Sequence, residues 1–271
     1  MRRQLEEEPM TYCVALKLDE GLVCLSDTRT NAGLDNISKY RKMHTWSVPG
    51  ERIIVMMTAG NLAVTQAVVS SIQEAIDHPA DGRETIFTAP TMFRVAEVVG
   101  SEMRSIYNQH ASMLGSAADS TIILAGQRAG GPLRLFMVYS AGNFIEASES
   151  HPFLQIGEHK YGKPILDRVI RPETHLNDAV TAALLSMDST LRSNLSVGMP
   201  IDLAVIRRDA YEFEPLVRIE EEDEAFRELS NAWSEALRES FVKMGEIVPS
   251  AWRAEDPAVE TPMAPMTNAL V

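Results

Sequence analysis

A chain of 271 residues that is 45% hydrophobic has room for one sizeable core, and 25 Lys and Arg against 38 Asp and Glu give it a formal net charge of −13. That balance argues against nucleic acid as a partner, since nucleic acid recruits Lys/Arg patches, and no apolar run reaches the roughly 20 residues of a membrane span. The first nine residues lack the apolar stretch of a secretory signal, and the two cysteines, Cys13 and Cys24, make no disulfide framework, so a reduced, cytoplasmic protein is expected.

Residues 11–17 and 22–27 read as two strands joined by a turn at Glu20-Gly21. Residues 42–48 predict a third strand before Pro49-Gly50, and the almost wholly apolar run 52–59 a fourth, buried on both faces. Gly60 breaks that run, and Asn61 is placed to cap a helix with Leu62, Val69, Ile72 and Ile76 on one face, ending near Asp77-His78-Pro79. A second helix runs from about Pro90, a favoured first helical residue, to Met113. Strands return at 120–127, 133–140, 144–147 and 153–156, with Gly157 ending the last. Helices at 163–169 and 176–194 follow, then strands at 201–206 and 216–219. A charged amphipathic helix spans 223–244, with Phe226, Leu229, Trp233, Leu237 and Phe241 on one side and Glu220 to Asp223 as a solvated entrance favourable to its dipole. Residues 11–245 form the expected domain, and the proline-rich 246–271 a flexible tail. Strands, two helices, strands, two helices, strands is not βαβ alternation. It predicts an α+β fold of antiparallel sheets stacked face to face with helices outside.

Thr11 heads the first strand directly after Met10. Freed of the residues before it, its α-amine has a pKa of about 7.7–8.0 and can serve as base for its own hydroxyl, the chemistry of an N-terminal threonine nucleophile. Such a nucleophile needs an amine kept near neutral, an oriented hydroxyl and donors for the oxyanion. Asp27 ends the second strand on the side where Thr11 begins the first, and Lys42 lies in the third. A lysine ammonium beside the amine lowers its pKa by like-charge repulsion, and Asp27 can pair with that lysine. Gly60, at a strand-to-helix corner, can turn its N–H toward a carbonyl oxygen. Taken singly, each is as well explained by a strand threonine, a turn aspartate, an edge-strand lysine and a strand-ending glycine.

Thr11, the run Ser26-Asp27-Thr28-Arg29, Lys42-Met43 and Thr58-Ala59-Gly60 resemble the proteasome β-subunit family, continuing through residues 120–126 and 201–206, so that about residues 11–210 are covered. Met10 to Ala15, Ser26 to Asn31, Ile156-Gly157-Glu158 and Lys160 to Pro164 resemble the Anbu, or ancestral β-subunit, branch. The resemblance implies a four-layer αββα sandwich, the N-terminal nucleophile hydrolase fold. It also implies a self-assembling homo-oligomeric threonine peptidase, acting on peptides or unfolded proteins and needing no cofactor. It gives Thr11, Asp27, Lys42 and Gly60 catalytic roles, offers Asp188 and Ser196 as the late supporting pair, and makes Thr30, Tyr40, Thr58 and Leu62 the wall of the side-chain pocket. The chain departs from the family pattern at Glu158, where a serine is usual, and in the spacing between Asp188 and Ser196. Glu158 reads as a structural or interface carboxylate.

No histidine shows metal-ligand spacing, so no metal site is expected. Residues 1–10 are expected to be absent from the working protein, as a cleaved leader or because translation starts at Met10 and Glu6-Glu7-Glu8 reflects a purine-rich ribosome-binding site. Two alternatives stand beside the peptidase: an amidohydrolase acting on a small amide, and a catalytically silent scaffold subunit. An ATPase partner is not specified by the sequence.

Overall fold

A computed structural model describes residues 11–31, 37–80, 82–249 and 252. In chain order the strands are β1 (Tyr12–Lys17), β2 (Gly21–Asp27), β3 (Arg29–Asn31), β4 (Ile37–Lys39), β5 (Met43–Val48) and β6 (Arg52–Gly60), followed by helices α1 (Leu62–Asp77) and α2 (Met92–Leu114). Next come β7 (Ser120–Arg128), β8 (Arg134–Tyr139), β9 (Phe144–Glu146) and β10 (Phe153–Gly157), then α3 (Lys163–Val169) and α4 (Leu176–Ser193). The last elements are β11 (Ile201–Arg207), β12 (Val217–Ile219) and α5 (Glu224–Ile247).

Two five-stranded antiparallel sheets result, ordered β10-β1-β2-β11-β12 and β5-β6-β7-β8-β9. The two-residue side-chain period decides which layer each residue joins. From β1, Cys13 and Ala15 enter the layer between the sheets with Ile53, Val55 and Met57 of β6 and Ile123 and Ala125 of β7. Tyr12, Val14 and Leu16 face the other way and pack with Leu166 of α3 and Ala179, Ala183 and Met187 of α4. On the far side, Ile54 and Met56 of β6 meet Val64 and Val68 of α1 and Val95 and Val99 of α2. The chain is thus the four-layer αββα sandwich, and each buried aliphatic side chain contributes about 1.5–3 kcal/mol of transfer free energy.

The capping chemistry is local. The Asn61 side chain accepts the Val64 N–H at 3.2 Å, and α2 is capped by Thr91 rather than begun at Pro90, its hydroxyl accepting the Arg94 N–H at 3.2 Å. Lys42, expected inside a strand, stands just before β5, where its carbonyl accepts the Thr58 N–H at 3.1 Å. The β3–β4 hairpin had no signal, because strands of three residues are too short to display a period. The described residues fall into two compact units divided after Ser230. In α5 none of the predicted apolar stripe is buried, and Leu237 and Phe241 are exposed. Residues 1–10 and most of the 246–271 tail lie outside the described residues.

Candidate active site

The site is built where β1 starts. Thr11 is nearly buried, and its carbonyl accepts the Glu158 N–H at 2.6 Å while Tyr12 pairs with Gly157 of β10. Gly157 has φ +79°, and a Cβ there would stand 1.9 Å from the Thr11 carbonyl oxygen. Only glycine allows the chain to turn this close beneath the nucleophile candidate.

Asp27, at the end of β2, has no solvent exposure. Its Oδ1 accepts the Tyr12 N–H at 3.1 Å and the Lys42 ammonium at 2.6 Å. Its Oδ2 accepts the Arg29 and Gly198 N–H groups, each at 3.2 Å. Burial pushes the carboxyl above the ordinary aspartate range, opposed by the Lys42 charge and by these donors. Lys42, itself buried, also donates to the Arg29 carbonyl at 2.6 Å. The neighbouring Cys13 thiol is raised by burial, with Lys42 pulling against it, and burial pushes Cys24 up to about 12. Both cysteines are free.

Gly60 closes β6 with φ +97°, and a Cβ would meet the Asp119 carbonyl oxygen at 2.4 Å, so this corner also requires glycine. Among the proposed wall residues, Thr58 faces Lys42 through the hydrogen bond already given, and Thr30 lies on β3 half-buried. Tyr40 is exposed, its N–H bonded to the Thr28 carbonyl at 2.8 Å, and Leu62 opens α1.

Ser196 belongs to the loop that reaches Asp27 through Gly198, and it is held by a residue that sequence reasoning did not select. The Asn194 Oδ1 accepts both the Ser196 N–H at 2.9 Å and its hydroxyl at 2.6 Å. Asp188 turns elsewhere: it accepts the Ser230 hydroxyl at 2.6 Å and pairs with Arg192 at 3.3 Å. It is four residues before Arg192 on one helix face, which is reason enough for that pairing. Asn194 could have been found as a polar residue at the C-cap of α4. Glu158 was visible in the sequence as a departure, but its burial was not. Away from this corner, an open groove of about 630 Å³ between β5 and α1 is lined by Arg41, His44, Trp46, Gln73, Glu74 and Asp77, among others. Among the described residues no cluster of three or more His, Cys, Asp or Glu is placed to hold a metal ion, and no helix is long and apolar enough to cross a membrane.

A sandwich with a threonine at the head of β1, and an aspartate–lysine pair beneath it, defines a class. A sequence profile of the proteasome subunit family matches residues 10–206, and the chain belongs to that family, on its Anbu branch. It is similar to the solved structure of an Anbu Gly-1 mutant from Hyphomicrobium sp. strain MC1, at 53% identity and TM-score 0.82, over 86% of this chain and 97% of that one. Anbu from Yersinia bercovieri matches at 43% identity and TM-score 0.82, over 88% and 98% of the two chains. The helical assembly of the Anbu complex from Pseudomonas aeruginosa matches at 42% and TM-score 0.82, over 90% and 100%. No curated protein matches the chain by sequence.

Proposed function

We propose that this proteasome-family subunit is a threonine peptidase whose nucleophile is the Thr11 hydroxyl, working in the cytoplasm as a homo-oligomer. The observation that carries the reading is the buried Asp27–Lys42 pair at 2.6 Å, with Asp27 also accepting the N–H of Tyr12, the residue bonded to Thr11. Once the peptide bond between Met10 and Thr11 is gone, the Thr11 amine takes the hydroxyl proton as the oxygen attacks a peptide carbonyl. The cationic Lys42 disfavours a second positive charge on that amine, keeping it a competent base near neutral pH. The Gly60 N–H receives the oxyanion, the amine returns the proton to the leaving nitrogen, and water hydrolyses the acyl ester. Thr30, Tyr40, Thr58 and Leu62 shape the pocket for the peptide side chain. The Pseudomonas aeruginosa relative's helical assembly supports self-association as the working state.

Three measurements test this. The mature amino terminus, read by intact mass from cells expressing the gene under its own promoter, should be Thr11; a chain beginning at Met1 or Arg2 would sink the mechanism. In the processed protein, Thr11→Ala should abolish hydrolysis of fluorogenic peptides and leave assembly intact, and an epoxyketone should modify Thr11 in the unaltered chain. Peptidase activity surviving the substitution rules out this nucleophile. A processed Thr11 that resists the epoxyketone replaces the peptidase with a silent scaffold subunit, and turnover confined to small acyl-amides replaces it with an amidohydrolase.

A further inference from the structure

Glu158 is a buried carboxylate, 2% exposed, that the mechanism above does not use. Its N–H holds the Thr11 carbonyl at 2.6 Å. Its Oε1 accepts the Lys160 N–H at 2.9 Å, and its Oε2 accepts the Asn194 Nδ2–H at 3.2 Å. Asn194, also buried, turns its Oδ1 to the N–H and hydroxyl of Ser196. Two residues further on, the Gly198 N–H donates to Asp27, whose other oxygen accepts the Tyr12 N–H. The bonds close a circuit from Thr11 through Glu158, Asn194, the 194–198 loop and Asp27 back to Tyr12.

We infer that Glu158 is a positioning residue for the nucleophile, acting through Asn194 to hold the 194–198 loop, and with it the Gly198–Asp27 bond, in the hydrogen-bonded circuit that starts at the Thr11 carbonyl and ends at the Tyr12 N–H. The catalytic meaning of this rests on the peptidase reading, but the clamp itself does not. The order of donors and acceptors gives the circuit its direction. A carboxylate only accepts, whereas an asparagine offers one accepting oxygen and one donating nitrogen. Asn194 therefore satisfies Glu158 and Ser196 in one orientation; flipping its amide would set Nδ2 against the Ser196 N–H. A glutamine at 158 would force that conflict at one end or the other, and an aspartate at 194 would face two buried carboxylates toward each other. Making both changes restores every donor and acceptor and moves the negative charge from one residue to the other.

The test is a charge swap in the processed chain: Glu158→Gln, Asn194→Asp, and the two combined. Hydrogen exchange of the 194–198 peptide reads the clamp, and the rate of Thr11 modification by an epoxyketone reads its effect on the nucleophile. Each single change should raise exchange and slow modification about tenfold, the scale of one charge-assisted hydrogen bond lost in a buried setting. The double variant should return to within about threefold of the unaltered chain on both readouts, since its pairing pattern is intact. A double variant that fails to fold, or that behaves as the product of the singles, overturns the inference, as does Glu158→Gln exchanging like the unaltered protein. An unreactive Thr11 would count against the peptidase alone, because the exchange measurement still decides the clamp.

Discussion

The β1–β2 hairpin handles charge in opposite ways at its two ends. At the strand ends, Asp27 is sealed from water and saturated by Lys42 and three backbone N–H groups, that of nearby Arg29 and those of Tyr12 and Gly198 from other segments. At the turn, Glu20 sits 2.7 Å from His175 Nδ1 and accepts the Leu176 N–H at 3.1 Å, with both side chains open to solvent. The geometries are similar, but the consequences are not. In the interior a charge must be fully partnered or it destabilises the fold, so the partners become obligatory and the segments that carry them are held in one arrangement. At the surface, water substitutes for either partner and the pair contributes little. The nucleophile candidate stands at the obligatory end.

The most severe way to break the contrast is to remove one buried partner. Lys42→Ala leaves Asp27 uncompensated and should cost about 3–5 kcal/mol in urea unfolding. Replacing both together, as Asp27→Asn with Lys42→Met, should cost well under the sum of the two single changes. A loss from Lys42→Ala no larger than that of a surface pair would show that water reaches Asp27.

His44 supplies the intermediate case, a mostly buried imidazole in the groove beside α1. Burial, helped by the Arg41 charge, holds its pKa down at about 4 instead of 6.5. A folded-state pKa below the unfolded one means that protons prefer the unfolded chain. Stability is therefore complete above pH 6.5 and falls as the pH drops toward 4, by about 2 kcal/mol from this residue after allowing for its partial exposure. The difference in unfolding free energy between the unaltered chain and His44→Gln, followed across that interval, should change by this amount; a flat difference would mean that the imidazole protonates freely in the folded protein.

The smallest effect belongs to Glu20→Gln. The Glu20 hydrogen bond raises the pKa of His175, and the same bond lowers that of Glu20. The pair's contribution is lost as the pH rises through the folded His175 titration and again as it falls through that of Glu20. Thermal unfolding of this variant should differ from the unaltered chain only slightly, only between those titrations, and less in high salt. A large or salt-independent shift would remove the distinction between the two ends of the hairpin.

The amino-acid sequence by itself determined what depends on near neighbours. The apolar runs of residues 12–17 and 52–59, bounded by turn residues, and the helical stripes of α1, α2 and α4 specify their elements, because run length and local period distinguish a doubly buried strand from an amphipathic helix. Asn61 before Leu62 specifies a cap in the same way. That Asp27 and Gly60 close strands and that Thr11 and Lys42 stand at the head of theirs was legible locally, but their grouping into one set came from the resemblance and not from the residues taken singly. What only the tertiary structure decided lies in segments without a period. Gly198 reaches Asp27 across 171 positions and Asn194 reaches Glu158 across 36, while Asp188, a plausible neighbour of Ser196 along the chain, turns to Ser230 instead. Such meetings follow from how the sheets and α4 stack, and a loop's own residues carry no record of the strand it will be packed against until the layers close on one another.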